Sequence, residues 1–148
     1  MGARRKGREL AVQALYQIEL SGESSDATLR PFFENAYAGG RAKDFAAALV
    51  DGVREHQVHL DELIAQASQH WRFERLSRVD LNILRVAAYE LSNTREVPTS
   101  VVIDEAIEIA RRFGTEESAE FVNGILDQIA GQLGVREGAS QRSAGGDG

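Results

Sequence analysis

Four cationic side chains stand close together at the start of the chain, where their charge favours an anion. Arg4, Arg5, Lys6 and Arg8 lie within the first eight residues, and no acidic residue is among them. Guanidinium groups pair well with phosphate and carboxylate oxygens, so this spacing predicts a local anion site. The whole chain has a formal net charge of −6, which argues against nucleic-acid binding by the surface as a whole. The pattern therefore predicts an acidic body with one basic end and a separate protein-binding surface.

These cations belong to a predicted first helix, from about residue 4 to residue 20. One face of that helix is apolar and carries Leu10, Ala11, Ala14, Leu15 and Ile18. On the opposite side, Arg5, Val12 and Tyr16 lie within about 60° of one another, with Arg8 and Leu20 flanking them. A solvated face would carry Glu and Lys, so this mixture indicates an interface with Tyr16 as an anchor. The alternative is that two neighbouring helices sandwich this one.

Catalytic patterns are missing from the sequence. It has no Gly-rich phosphate loop ahead of a helix, no His-Glu-x-x-His motif and no Cys nucleophile. His56 and His59 stand three residues apart, but without a third ligand nearby surface histidines are the preferred interpretation. Asp104, Glu105 and Glu108 lack the Glu-x-x-His pairs of a di-iron bundle, so we interpret them as a solvated face. The sequence favours a binding module over an enzyme, with no catalytic residues, no metal and no cofactor.

Length and composition limit the class of protein further. The 148 residues suit one domain, or two small helical subdomains that share a core. The absence of Cys excludes disulfides, Cys-ligated zinc and thiol chemistry. No apolar run approaches the roughly 18 residues of a membrane helix, and no apolar segment follows the basic N-terminus as in a secretory signal. We therefore expect a soluble cytoplasmic protein.

Hydrophobic periodicity predicts an all-α fold of about seven helices without a sheet. The central helix follows Ser77 as its N-cap, and its apolar side chains cover more than half of its circumference, which predicts that other helices pack around it. Its remaining side carries Arg78, Asn82, Arg85 and Tyr89. Glu90 falls inside the apolar arc, so we expect it to pair with an arginine or with backbone N–H groups.

The other predicted helices leave two subdomains, roughly residues 1–56 and 57–133. The second helix covers about 27–37 with Pro31 in its first turn, the third begins near 42, and the fourth covers about 59–70. The sixth opens at Pro98 and stops at Gly114 as a C′ residue. Thr115 or Ser118 caps the seventh, which continues through the Asn123-Gly124 pair. Arg72, Arg75 and Arg78 either extend a basic strip or solvate helix ends, and the Gly-rich residues 134–148 form a disordered tail.

Several segments together have the order and spacing of a known family. They are Asp-Leu-Asn-Ile-Leu-Arg at 80–85, Tyr-Glu-Leu at 89–91, Val-Pro at 97–98, Glu-Ala at 105–106, Phe-Val-Asn-Gly-Ile-Leu-Asp at 121–127, and the N-terminal run from Arg4 to Tyr16. Over roughly residues 4–133 the chain resembles the bacterial transcription antitermination factor family NusB. A similar helical domain begins certain ribosomal RNA cytosine methyltransferases. The arginine-rich first helix and the lack of a cofactor-binding catalytic domain favour NusB.

The resemblance implies a NusB-like fold and a role in transcription. It implies binding to the boxA element of ribosomal RNA leader transcripts together with the ribosomal protein NusE. The complex would join the elongating RNA polymerase with other Nus factors and suppress premature Rho-dependent termination. Both a monomer and a homodimer are compatible with the family.

The resemblance also assigns roles to individual residues. The RNA-binding residues that it implies are Arg4, Arg5, Arg8, Glu117 and Phe121, with the Phe121 ring as a stacking surface for a base. Tyr16 and Asp80 would belong to the side that faces NusE, and Val12 shares the Tyr16 face of the first helix. Two alternatives stay open. One is a helical protein adaptor without an RNA role, and the other is a detached RNA-binding module that works with a methyltransferase.

Overall fold

The computed structural model describes residues 2–22, 25–69, 76–94 and 96–135. Within these residues the chain forms seven α-helices and no strand, which confirms the all-α prediction. The helices are α1 (Ala3–Ser21), α2 (Ser25–Asn35), α3 (Gly40–Glu55), α4 (Gln57–Ala67), α5 (Arg78–Asn93), α6 (Thr99–Phe113) and α7 (Ser118–Leu133). The chain divides after Glu55 into two compact units. Helices α1 to α3 therefore belong to the first unit, and α4 to α7 belong to the second.

In the first unit, α1 packs against both α2 and α3. The approach of α1 to α3 depends on Gly7, because a Cβ at this position would lie 2.6 Å from Cδ2 of Phe45 and 3.0 Å from the carbonyl oxygen of Ala42. The buried apolar residues are Leu10, Ala11, Val12, Ala14 and Leu15 of α1 and Ala42, Ala46, Leu49, Val50 and Val53 of α3. Small side chains on both helices thus let the two backbones come close.

The bounds of two helices differ from the sequence-based expectation. Helix α2 begins at Ser25, so Pro31 lies in its second turn and the prediction of a first-turn proline is wrong. The missing proline N–H interrupts the hydrogen-bond ladder of this 11-residue helix. Helix α4 ends at Ala67 and not near residue 70. Arg72 and Arg75, which we expected either to extend a basic strip or to solvate helix ends, lie outside the described residues.

Helix α5 is the central element of the second unit, as the sequence predicted. Helices α4, α6 and α7 all pack against it. The predicted N-cap is also confirmed, because the backbone N–H of Asp80 donates to Oγ of Ser77 at 3.0 Å. The polar side of the helix is covered as well, since Asn82 and Arg85 are both buried. Glu90 is buried too, and its expected pairing partner stays a prediction.

A planar ion pair joins α5 to α4. Arg85 donates from Nε to Oδ1 of Asp61 at 2.7 Å and from Nη2 to Oδ2 at 2.9 Å. Its Nη1 donates to Oδ1 of Asn82 at 3.1 Å, and Nδ2 of Asn82 donates to the carbonyl oxygen of Arg78 at 2.9 Å. This two-point geometry satisfies a guanidinium that burial would otherwise strip of water.

Helix α6 buries one face, which carries Val102, Ala106, Ile109 and Ala110. Ile103 and Ile107, beside this face, are only partly buried. Helices α5 and α7 both pack on α6.

A hydrogen bond joins the end of the described chain to α6. Helix α7 ends at Leu133, and Gly134 takes a left-handed backbone conformation with φ of 72°. Oγ1 of Thr99 then donates to the carbonyl oxygen of Val135 at 2.6 Å. The predicted disordered tail, residues 134–148, lies outside the described residues from 136 onward. In the part of the chain that the structure describes, no helix has the length and apolarity to cross a membrane.

Replacing Asp61 with Ala should destabilise the protein, because it leaves the buried Arg85 guanidinium without its carboxylate. We expect a loss of about 2 kcal/mol in the free energy of unfolding, below the full value for a buried pair because Asp61 is partly exposed. Urea unfolding followed by circular dichroism measures it. Glu108→Ala is the matched control, since Glu108 pairs with Arg111 at the surface and should change stability by less than about 0.5 kcal/mol. Equal losses for both variants would contradict this role of Asp61.

Candidate nucleic-acid interface

The first turn of α1 concentrates positive charge at a helix N-terminus. No acidic residue lies in that turn, although carboxylates are the groups that a helix N-terminus favours. Arg4 is exposed, and Arg5 and Lys6 are partly exposed. The positive end of the helix and these cations act in the same direction, so an incoming anion would be attracted by both. The position is electrostatically unfavourable for the helix alone and favourable for a bound phosphate.

Arg8 lies deeper than the sequence suggested. Its residue surface is only 4% exposed. Its Cζ lies 5.4 Å from the centre of the Phe45 ring, and Cζ of Arg4 lies 5.8 Å from the same centre. The predicted RNA contact of Arg8 stays a prediction, and the structure shows it as a covered cation beside an aromatic ring.

The second face of α1 is not open along its whole length. Val12 is in the core of the first unit, while Tyr16 is partly exposed. The expectation of an outward Val12 is therefore wrong, because α1 packs against two helices and not one. Tyr16 keeps an accessible edge. The partner-binding roles of both residues stay predictions.

Asp80 is also buried, at 3% exposure, in the first turn of α5. Its backbone N–H is used by the Ser77 cap. Its side-chain Oδ1 has no hydrogen-bond partner among the residues that the structure describes. The predicted place of Asp80 on the partner-facing side stays a prediction.

The start of α7 brings together the two predicted site residues of the second unit. Glu117 occupies the N-cap position and is exposed. The backbone N–H of Phe121 donates to the carbonyl oxygen of Glu117 at 3.1 Å, so the two residues stand one turn apart on the same side of the helix. The Phe121 side chain is partly exposed. A carboxylate and an aromatic ring thus share one edge of α7.

Ser118 and Gly114 fix this start of α7. The Ser118 hydroxyl is fully buried and accepts a hydrogen bond from the backbone N–H of Thr115 at 2.9 Å. The expectation that Thr115 or Ser118 caps α7 is wrong, because Glu117 holds the N-cap position without a side-chain bond. Gly114 has an extended backbone, so it is not the left-handed C′ residue that we expected. Glycine is needed there for space, since a Cβ would lie 2.6 Å from Cβ of Ser118 and 2.9 Å from the carbonyl oxygen of Ala110.

Phe45 is the residue of this region that the sequence did not single out. The available signal was the spacing of Arg4 and Arg8, which are four residues apart and therefore share one side of α1. Periodicity cannot show which aromatic ring of another helix meets that side.

The described residues offer little support for metal chemistry. They contain no group of three or more His, Cys, Asp or Glu side chains placed to hold a metal ion. His56 precedes α4, and its ring lies 5.8 Å from that of Tyr89. It thus packs against an aromatic neighbour.

Comparison with known proteins gives a consistent result. A family model described as "NusB family" matches residues 5–131. The transcription antitermination protein NusB of Sorangium cellulosum (strain So ce56) is 46% identical over 134 residues, which cover 90% of this chain and 96% of that protein. The protein of the same name from Trichlorobacter lovleyi is 52% identical over 130 residues, which cover 87% of this chain and 91% of that one.

Solved structures agree with these relatives. T. maritima NusB matches with a TM-score of 0.80 and 38% identity, covering 93% of this chain and 96% of its own. A crystal structure of antitermination factors NusB and NusE in complex with dsRNA matches with a TM-score of 0.77 and 26% identity, covering 88% of this chain and 97% of the matched chain.

Gly114→Ala should destabilise the turn that positions Glu117 and Phe121. The added methyl group would press on Ser118 and on the backbone of Ala110, so we expect a loss of roughly 1–3 kcal/mol, as in other overpacked sites. Gly40→Ala is the control, because nothing lies within 4 Å of a Cβ there, and it should be neutral or slightly stabilising. Thermal unfolding of both variants provides the measurement. A neutral Gly114→Ala would show that the turn relaxes freely.

Proposed function

Because this chain belongs to the NusB family, we propose that it is a transcription antitermination factor. In this role it binds the boxA RNA of ribosomal RNA leader transcripts jointly with the ribosomal protein NusE and suppresses premature termination by RNA polymerase. The observation that carries the proposal is the pair of relatives named transcription antitermination protein NusB, which align with this chain over nine-tenths or more of their own lengths. The protein is accordingly a binding factor and not an enzyme.

The first turn of α1 is the proposed binding site for RNA phosphates. Arg4 and Arg5 have accessible surface there, and the helix N-terminus adds its own positive potential. Release of condensed counterions by these charges would supply affinity that depends strongly on salt. On α7, we propose that Phe121 offers its ring to a base. The exposed Glu117 repels phosphate, so it would tune RNA binding and not strengthen it.

NusE is the proposed protein partner. A solved relative, described as NusB with NusE and dsRNA, contains both ligands at once, which supports joint binding here. Tyr16 is the proposed anchor, since its partly exposed side chain combines an apolar ring with a hydroxyl group. Val12 would support Tyr16 from the core. Asp80 would act through the first turn of α5, because its side chain is buried.

The resulting complex would act on transcription as it proceeds. We propose that the protein, NusE and RNA join the elongating RNA polymerase with other Nus factors. We also place this activity in the cytoplasm, where the leader transcript is made.

The double variant Arg4→Ala/Arg5→Ala should weaken binding to boxA RNA and flatten its salt dependence. If each arginine neutralises one phosphate of single-stranded RNA, the slope of log affinity against log salt should fall by about 1.4. Fluorescence anisotropy with labelled RNA at several salt concentrations measures both effects. Arg30→Ala/Arg54→Ala is the control, because it removes the same charge from two exposed positions of the first unit. Wild-type affinity for the α1 variant would remove Arg4 and Arg5 from the site.

Tyr16→Asp should weaken association with NusE while the protein stays folded. Loss of an aromatic anchor, with a charge placed in its position, should reduce affinity by roughly 30-fold or more. Isothermal titration with purified NusE measures the effect, and circular dichroism checks the fold. Tyr37→Asp is the matched control, since Tyr37 is 98% exposed. Unchanged NusE affinity in the Tyr16 variant would contradict its role as an anchor. The composition of that face of α1 would then be explained by helix packing alone.

A further inference from the structure

Phe45 has an environment that core packing alone does not explain. We propose that its ring is a positioning platform that holds the guanidinium groups of Arg4 and Arg8 together for an RNA phosphate. This inference rests on the proposed function and adds a residue of α3 to it. Phe45 itself need not touch the RNA.

The geometry brings two cations to one ring. Cζ of Arg4 lies 5.8 Å and Cζ of Arg8 lies 5.4 Å from the ring centre of Phe45, both within the range of cation–π attraction. Arg4 and Arg8 are four residues apart, so they lie on the same side of α1. Gly7 lies on that side too, and its missing side chain leaves the space that the Phe45 ring occupies.

The energetics favour a platform that is prepared for an anion. Two like charges near one ring repel each other, and the negative face of the ring offsets part of that repulsion. Holding long arginine side chains in place before RNA arrives also reduces the rotamer freedom that binding would otherwise remove.

The two arginines are not equivalent. Arg4 is exposed, whereas Arg8 is almost completely covered and Phe45 is partly exposed. Arg4 is therefore the group that can reach a phosphate directly. Arg8 and the ring form the layer beneath Arg4. There the positive charge of Arg8 raises the local electrostatic potential without touching the RNA.

A plain core residue at position 45 would behave differently. An aliphatic side chain of similar size can fill space between α1 and α3, so a purely structural role needs apolar volume and no π-face. A positioning role needs an aromatic ring, and its loss acts through the arginines. Substitutions that separate volume from aromaticity therefore distinguish the two roles.

The experiment compares the wild type, Phe45→Leu, Phe45→Tyr, Arg4→Ala and the double variant Arg4→Ala/Phe45→Leu. Each is titrated with labelled boxA RNA in the presence of NusE, and thermal unfolding is recorded for each. Phe45→Leu should weaken RNA binding about threefold to tenfold, as expected for loss of cation–π contacts. Phe45→Tyr should stay within about twofold of the wild type because it keeps the ring. In the Arg4→Ala background, Phe45→Leu should have a clearly smaller effect than in the wild type.

One control variant and one substitute variant complete the experiment. Phe33→Leu removes a ring of the same unit that packs edge-to-face against Phe32, with centres 5.3 Å apart, and it should leave RNA affinity unchanged. If Phe45→Leu does not stay folded at the assay temperature, Phe45→Met takes its place, because its longer and more flexible apolar side chain adapts better to the space of the ring.

The outcomes separate the inference from the function on which it rests. Failure of wild-type protein with NusE to bind boxA RNA would overturn the proposed function and this inference with it. Binding that Arg4→Ala weakens but Phe45→Leu does not would overturn the positioning role alone. The same holds if Phe45→Tyr falls as far as Phe45→Leu, or if Phe45→Leu lowers affinity by the same factor with and without Arg4.

Discussion

The burial of α5 from Asp80 to Ala88 is the constraint on which the second unit depends. Helices α4, α6 and α7 pack against it, so its polar residues must find partners inside the protein. The two hydrogen bonds between Arg85 and Asp61, with Asn82 completing the network, meet that requirement. They also restrict how α4 lies against α5, because a planar guanidinium donates two hydrogen bonds to one carboxylate in few geometries.

The first unit obeys a different constraint, which is the close approach of α1 to α3. Gly7 and the small residues Ala42 and Ala46 allow it. The approach places Phe45 beneath the basic first turn of α1, where a helix would ordinarily carry acidic residues. The contact that stabilises the unit thus also shapes its positive end. Under the proposed function, this end would bind RNA locally, although the whole chain has a net charge of −6.

Much of the fold could be predicted from the sequence, and the exceptions have physical causes. The apolar coverage of α5, its Ser77 cap and the continuation of α7 through Asn123-Gly124 follow from local pattern, and the structure confirms them. Pattern could not show that Asp61 pairs with Arg85, because periodicity does not state which charged residue of another helix lies opposite. Nor could it show that Val12 and Arg8 are covered, since a helical wheel gives faces and not the number of neighbours. Gly114 was predicted as the C′ residue that stops the sixth helix, whereas the structure requires it for space.

We conclude that a helical scaffold without catalytic chemistry binds RNA and a ribosomal protein jointly. The most direct test is a titration of labelled boxA RNA with the purified protein alone and again with saturating NusE. We expect weak binding by the protein alone and clearly tighter binding with NusE, with the reciprocal gain in NusE affinity when RNA is present. Equal RNA affinity with and without NusE, or no RNA binding in either case, would contradict it.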